Sequence, residues 1–330
     1  MIIRKQIMIL LLSSEGDRST DMVVQWLEYY DRPYVRINPL DFIENSIEVY
    51  PSAEVFCING EKFRFDDIRA VWYRRFGGYT YSGHYKHVEE VYGKDAAEQL
   101  RYELLNIMDY FVSLLPDSAE IIGSTIKGNT NKLIELRMAE RAGLNVPYTV
   151  VTSKRSVIEN LLEQKRSLIS KSLYNVSVIR LDECNYTMFT SRIDREILKS
   201  MPEEFFPSMI QEEIKKEFEV RVFYLLDRFY SMAIFSQSNP RTELDFRRYD
   251  TQKPNRFVPF NLDDRTKYKI SKFMKSMNLN TGSLDFISAL DGKLYFLEVN
   301  HMGQFGMVDS PCNYGIHRDI AEILIQYDKR

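Results

Sequence analysis

Cysteine is scarce in this chain: Cys57, Cys184 and Cys312 stand far apart. They show no CxxC or Cys/His spacing, which excludes a disulfide framework and a zinc site and makes a reducing cytosol the expected compartment. A long apolar run is also missing. No stretch approaches the roughly 20 residues that a bilayer-spanning helix needs, so a transmembrane protein is excluded. Neither sign of charge dominates: 44 Lys and Arg stand against 47 Asp and Glu, a net charge of −3, whereas nonspecific nucleic-acid binding needs a concentrated basic surface. Low-complexity tracts and internal repeats are absent. The apolar run from Ile7 to Leu12, after Arg4-Lys5, is too short for a signal peptide and lacks a small-residue cleavage site, so it reads as a first buried strand.

What is present is a folded composition, 44% hydrophobic and 28% charged over 330 residues, enough for two or three compact units. After the first strand, Ser13 to Asp17 give a turn, and Met22, Val23, Trp26, Leu27 and Tyr30 recur at helical spacing. Short apolar runs at Tyr34 to Ile37 and Ala70 to Tyr73, then a long amphipathic helix through Ala97, Leu104, Met108 and Phe111 closed by Pro116, complete an α/β domain ending near residue 118. A further helix opens after Thr130, taken as its cap, and ends at Gly143. Beyond Pro207 the pattern is hairpin-like. A helix then runs through Ile270, Phe273 and Met277, another hairpin follows, and a last helix spans about Ile316 to Tyr327.

The segment Thr281 to Asn300 carries the strongest chemical signal. Two strand-like runs flank Asp291-Gly292, a dipeptide favoured in two-residue type I′ turns. Counting back from that turn, Asp285 lies opposite Glu298, with Asn300 on the same face. Directly opposed carboxylates destabilise a sheet unless a cation sits between them, and two carboxylates with an amide oxygen suit Mg²⁺. The alternative is a hairpin end that frays into solvent.

Several cations stand in places that ask for an anion. Lys132 occupies the first turn of a helix, against its dipole; Lys171 is the single charge in the run Leu168 to Leu173. Taken singly, each reads as a surface lysine; taken with the carboxylates, they suggest a nucleotide site. Glu219 and Arg221 share one face of a strand, either as a mutual ion pair or with Arg221 serving developing phosphoryl charge. Arg74 and Arg75 end a buried strand before a glycine-rich loop, which makes either a lip for carboxylates or ordinary capping of a strand end. His84 and His87 have metal-like spacing, but their tyrosine-rich context reads as loop and no metal is assigned to them.

In order along the chain, Asn131-Lys132, Lys171, Gln211-Glu212-Glu213-Ile214, Glu219-x-Arg221, Asp285 and Leu297-Glu298-Val299-Asn300 resemble the ATP-grasp superfamily. Asp245 to Tyr249, Lys253 to Arg256, Asn280 to Asp285 and Gly303 to Met307 sharpen this towards the grasp-with-spasm peptide maturases, similar to the microviridin-type ligases. One departure is His301, where the family pattern after Glu-Val-Asn generally has proline.

The resemblance implies an α/β (α+β) ATP-grasp fold with an N-terminal pre-ATP-grasp domain (1–118), a central subdomain (119–206) and a C-terminal subdomain with the metal site (207–330). It implies ATP and Mg²⁺ as cofactors. Lys132 and Lys171 would hold phosphates, Gln211, Glu212 and Ile214 would line the adenine, and Glu219 would lie towards the ribose. Asp285, Glu298 and Asn300 would hold the metal, Arg221 and Arg247 would be catalytic, and Arg74 and Arg75 would meet substrate. The implied reaction links Asp or Glu side chains of a ribosomal precursor peptide to its Thr, Ser or Lys side chains, giving ω-esters or ω-amides. Its alternatives are a ligase joining two separate molecules and a non-catalytic scaffold. The precursor's leader and core are the implied partner, and the resemblance also admits a SPASM-type enzyme encoded nearby and a homodimer.

Overall fold

The computed structural model describes residues 9–77, 79–123, 131–174, 178–181, 184–187, 190–239, 242–244, 246 and 250–329. The chain divides into two compact units, Met1–Lys127 with Gly315–Arg330, and Gly128–Tyr314.

In the first unit the elements run β1 (Ile9–Leu12), α1 (Arg18–Tyr29), β2 (Tyr34–Ile37), α2 (Asp41–Glu44), β3 (Ile47–Tyr50), β4 (Val55–Ile58), β5 (Glu61–Lys62), β6 (Ala70–Tyr73), α3 (Gly83–Tyr92), α4 (Lys94–Ser113) and β7 (Glu120–Gly123). Four strands pair in parallel in the order β2-β1-β6-β7. All four residues of β1 are buried, as expected of a parallel strand covered on both faces. Phe42, Phe56, Phe65 and Phe111 pack edge-on or tilted in the core of this unit. The C-terminal helix Ile316–Asp328 belongs here too, packing on α1, β1 and β6.

The second unit continues with α5 (Lys132–Arg141), β8 (Thr149–Lys154), α6 (Arg155–Glu163), β9 (Leu168–Lys171), β10 (Val178–Leu181), β11 (Cys184–Thr187), β12 (Ser191–Ile193), α7 (Arg195–Ser200), β13 (Glu204–Glu212), β14 (Lys216–Leu225), β15 (Arg228–Phe235), β16 (Arg256–Pro259), α8 (Asp264–Ser276), β17 (Thr281–Ala289), β18 (Leu294–Asn300) and α9 (Gly306–Cys312). One antiparallel sheet has the order β12-β9-β13-β8, a second has β16-β15-β14-β17-β18, and β10 pairs with β11. Along β14, Val220, Val222 and Tyr224 alternate into a core shared with Leu284 and Phe286 of β17, Leu136 of α5 and Phe273 of α8. The intervening Glu219, Arg221 and Phe223 therefore occupy the opposite face, where Phe223 stacks on Phe305 at 4.8 Å.

These boundaries differ from the expected three-part division. Strand β7 pairs with β6 and so joins the first unit. Residue 207 falls inside β13, whose pairing with β8 and β9 carries the first antiparallel sheet to Glu212. The last helix, expected with the C-terminal subdomain, packs in the first unit. A second correction concerns His84 and His87. They lie in helix α3, capped by Ser82, whose hydroxyl accepts the Tyr85 N–H.

Candidate active site

The site is built on the face of the five-stranded sheet opposite the core of Val220, Val222 and Tyr224. Arg221 of β14 stands opposite Asp285 of β17, which stands opposite Glu298 of β18, so three charged residues form one row across three strands. The expected pairing of Asp285 with Glu298 is present, but it arises differently. The loop has three residues, Leu290, Asp291 and Gly292: Ala289 N–H donates to Lys293 O, and Gly292 takes a φ of 77°. A β-bulge between Asp285 and Phe286 then shifts the register by one, with Phe286 opposite Phe296. The extra residue on β18 is Leu297. It turns both Phe296 and Val299 into the core and leaves Glu298 and Asn300 on the same side as Asp285.

The two carboxylates have cationic partners. Arg221 is bidentate to Asp285, with Nε–Oδ1 at 2.7 Å and Nη2–Oδ2 at 2.8 Å; it also contacts Met307 Sδ and lies 5.4 Å from the Phe246 ring centroid. Lys132 Nζ is 3.5 Å from Glu298 Oε2 and donates to Ser172 O at 2.9 Å. Lys132 opens α5 as expected, although the observed cap is Asn131, which accepts the N–H groups of Leu133 and Ile134; Thr130 lies outside the described residues.

Glu219 does not pair with Arg221. It is bound by Lys216 and by the Ser236 hydroxyl, the latter at 2.6 Å. Burial pushes the Glu219 carboxyl above its usual range, against the opposing pull of Lys216. Lys216 was not singled out from sequence. A bulge between Lys216 and Phe218 puts it on the side of Glu219 despite an odd separation, which strict alternation forbids.

A cavity of about 430 Å³ adjoins this row, lined among others by Lys171, Gln211, Ile214, Lys216, Glu219 and Glu298. Gln211 is 2% exposed. Thr149 Oγ1 donates to Pro147 O and accepts from Gln211 Nε2, each at 2.9 Å. That chain fixes the amide and leaves Gln211 Oε1 without a hydrogen-bond partner among the described residues. Glu212 also lines the cavity, its side chain held by Arg166 at 3.0 Å. Arg192, likewise missed in the sequence, bridges Glu213 at 2.8 Å and Glu243 at 3.0 Å.

Two expected residues belong to the first unit, and one cannot be placed. Arg74 is a buried ion pair with Asp17 at 3.1 Å, both side chains 5% exposed. Asp17 in turn caps α1. Burial lowers the Arg74 pKa against the pull of Asp17, and the guanidinium ties β6 to α1 rather than forming a lip. Arg75 is half-buried beside it in the first unit. Arg247 lies outside the described residues.

The donor set fits a hard divalent cation. Arg221 takes one lone pair on each Asp285 oxygen, and Asn300 Oδ1 accepts the Met302 N–H at 3.0 Å, so both residues retain acceptor capacity. Among the described residues no cluster of three or more His, Cys, Asp or Glu could hold a metal; the candidate set is two carboxylates and an amide.

No family model and no curated protein matches the chain. Solved structures do. The macrocyclase MdnC of Microcystis aeruginosa MRC, bound with its precursor peptide MdnA, superposes with a TM-score of 0.77 at 23% identity over 97% of this chain and 100% of that one. A RiPP-associated ATP-grasp ligase of Chryseobacterium gregarium, in complex with ADP and a leader and core peptide, gives 0.78 at 20% identity over 97% of each. The ATP-grasp ligase PsnB, complexed with minimal precursor, Mg and ADP, gives 0.74 at 18% over 97% of each. This chain has the ATP-grasp fold.

Proposed function

We propose that this protein is an ATP-dependent peptide macrocyclase that activates Asp or Glu side chains of a precursor peptide as acyl phosphates. The observation that carries this reading is the row Arg221, Asp285, Glu298 beside a cavity lined by Lys171 and Gln211. The similar structures bound to precursor peptides support the peptide as substrate. ATP would sit in the cavity, with Gln211 Oε1 as the acceptor for an exocyclic adenine N–H and with Lys132 and Lys171 on the phosphates. Mg²⁺, held by Asp285, Glu298 and Asn300, would supply neutralisation of phosphate charge.

Catalysis here is positioning plus charge stabilisation. A peptide carboxylate oxygen attacks the γ-phosphorus, the bond to the β–γ bridging oxygen breaks, and ADP leaves. A Thr or Ser hydroxyl of the same peptide then attacks the acyl carbon and loses its proton as phosphate departs, closing an ester; a Lys amine closes an amide. Arg221, bidentate to Asp285, would stabilise the charge that develops. The activated intermediate can be trapped. With the acceptor hydroxyls of the cognate precursor replaced by alanine, MgATP and hydroxylamine should yield a hydroxamate on the acidic side chain. ATP consumed without hydroxamate, by protein that binds the precursor, overturns the acyl-phosphate route.

A further inference from the structure

Helix α5 meets β18 through more than Lys132. One turn further along, Glu135 is 1% exposed, and its Oε2 accepts the Val299 N–H at 3.3 Å. Its Oε1 faces His301 Nε2 at 3.6 Å, and His301 keeps 9% of its side chain exposed. Among the described residues, Oε1 and both imidazole nitrogens are buried without a hydrogen-bond partner. A buried polar group in that condition carries a desolvation cost that a hydrogen-bond partner would offset. Nε2 and Oε1 stand just beyond hydrogen-bond distance of one another. A closure of less than about 1 Å would bring Nε2–H within hydrogen-bond range of Oε1.

The placement matters more than the pair itself. Through Lys132 and Glu135, α5 touches Glu298, Val299 and His301, so its contacts bracket Asn300. A slide of α5 along β18 would break the Val299 bond and the His301 contact together, and would carry Lys132 away from Glu298. We propose that Glu135 and His301 form a buried brace that fixes the spacing between Lys132 and the ligand-bearing end of β18, and so act as positioning residues for the metal-bound nucleotide. This rests on the nucleotide reading above. Residues that hold metal ligands in place from behind set metal affinity without touching the ion.

The test is calorimetric titration of ADP into the full chain, with Mg²⁺ and with EDTA. His301→Phe keeps the ring and removes the donor, whereas His301→Gln keeps an N–H near the Nε2 position. His301→Phe should lower MgADP affinity about ten-fold or more, lower metal-free ADP affinity by less than about two-fold, and be rescued in His301→Gln to within about three-fold of the parent. Equal losses with and without Mg²⁺, no loss in His301→Phe, or a His301→Gln variant as weak as His301→Phe would each overturn the brace. Should His301→Phe fail to fold, Glu135→Asp, which retracts the carboxylate by one methylene, takes its place with the same expected split. A parent protein that binds neither MgADP nor ADP would instead overturn the nucleotide reading itself.

Discussion

Glu298 has two neighbours that give its charge a purpose: the Asp285 carboxylate opposite it in the strand pairing and Lys132 Nζ at 3.5 Å. Its side chain is partly exposed and outside the hydrophobic core, so changing its charge leaves the packing intact. Glu298→Gln should therefore abolish turnover while the melting temperature stays within about 2 °C of the parent. Turnover at the parental rate and ordinary Mg²⁺ would remove Glu298 from the metal set. Arg221 and Glu219 show why one-dimensional spacing is an incomplete guide to partners. Strand alternation places them on one face, and so it suggests a mutual pair. In the structure Asp285 pairs with Arg221 and Lys216 with Glu219 instead, each from a neighbouring position. Arg74 was equally unreadable in advance, since only the parallel packing of β1 and β6 brings Asp17, 57 positions earlier, within reach of it.

The β17–β18 hairpin and helix α5 are the elements on which the site depends. The sequence led to the correct Asp285/Glu298 partnership because two irregularities cancel: a loop one residue longer than the Asp-Gly signal suggests, and one extra residue at Leu297 that restores the register. Hydrophobic spacing records this, for Phe296 and Val299 are both buried three residues apart, which an unbroken strand cannot do. The bulge beside Lys216 left no such mark, and the cation was missed. Tyrosines blur the helical period of α3 in the sequence, although Ser82 supplies an ordinary cap. In α5, Asn131 satisfies two N–H groups in the turn that also carries Lys132 and Glu135. Asn131→Ala should cost about 1 kcal/mol of stability and weaken ADP binding beyond that cost, because the fraying turn is the one that holds Lys132. A stability loss with ADP affinity unchanged would separate the cap from the site.

Across the whole chain, local patterns revealed most helices and strands, but not which unit owns each. Strand β13 runs through the expected boundary, and the last helix is placed by packing partners almost 300 positions away, as between Tyr30 and Glu322. The described chemistry is concentrated in Gly128–Tyr314, where the charged row, the cavity and the buried Glu135/His301 couple all lie. Arg74 and Asp17 give the first unit a buried tie rather than an open cation. The reaction is tested most directly by mass and nucleotide balance together. Purified protein with MgATP and its cognate precursor should release one ADP for every linkage formed, and the peptide should lose one water mass per linkage. A product heavier by a second molecule would make this a two-substrate ligase, and a precursor unchanged in mass despite verified binding of both ATP and peptide would contradict cyclisation altogether.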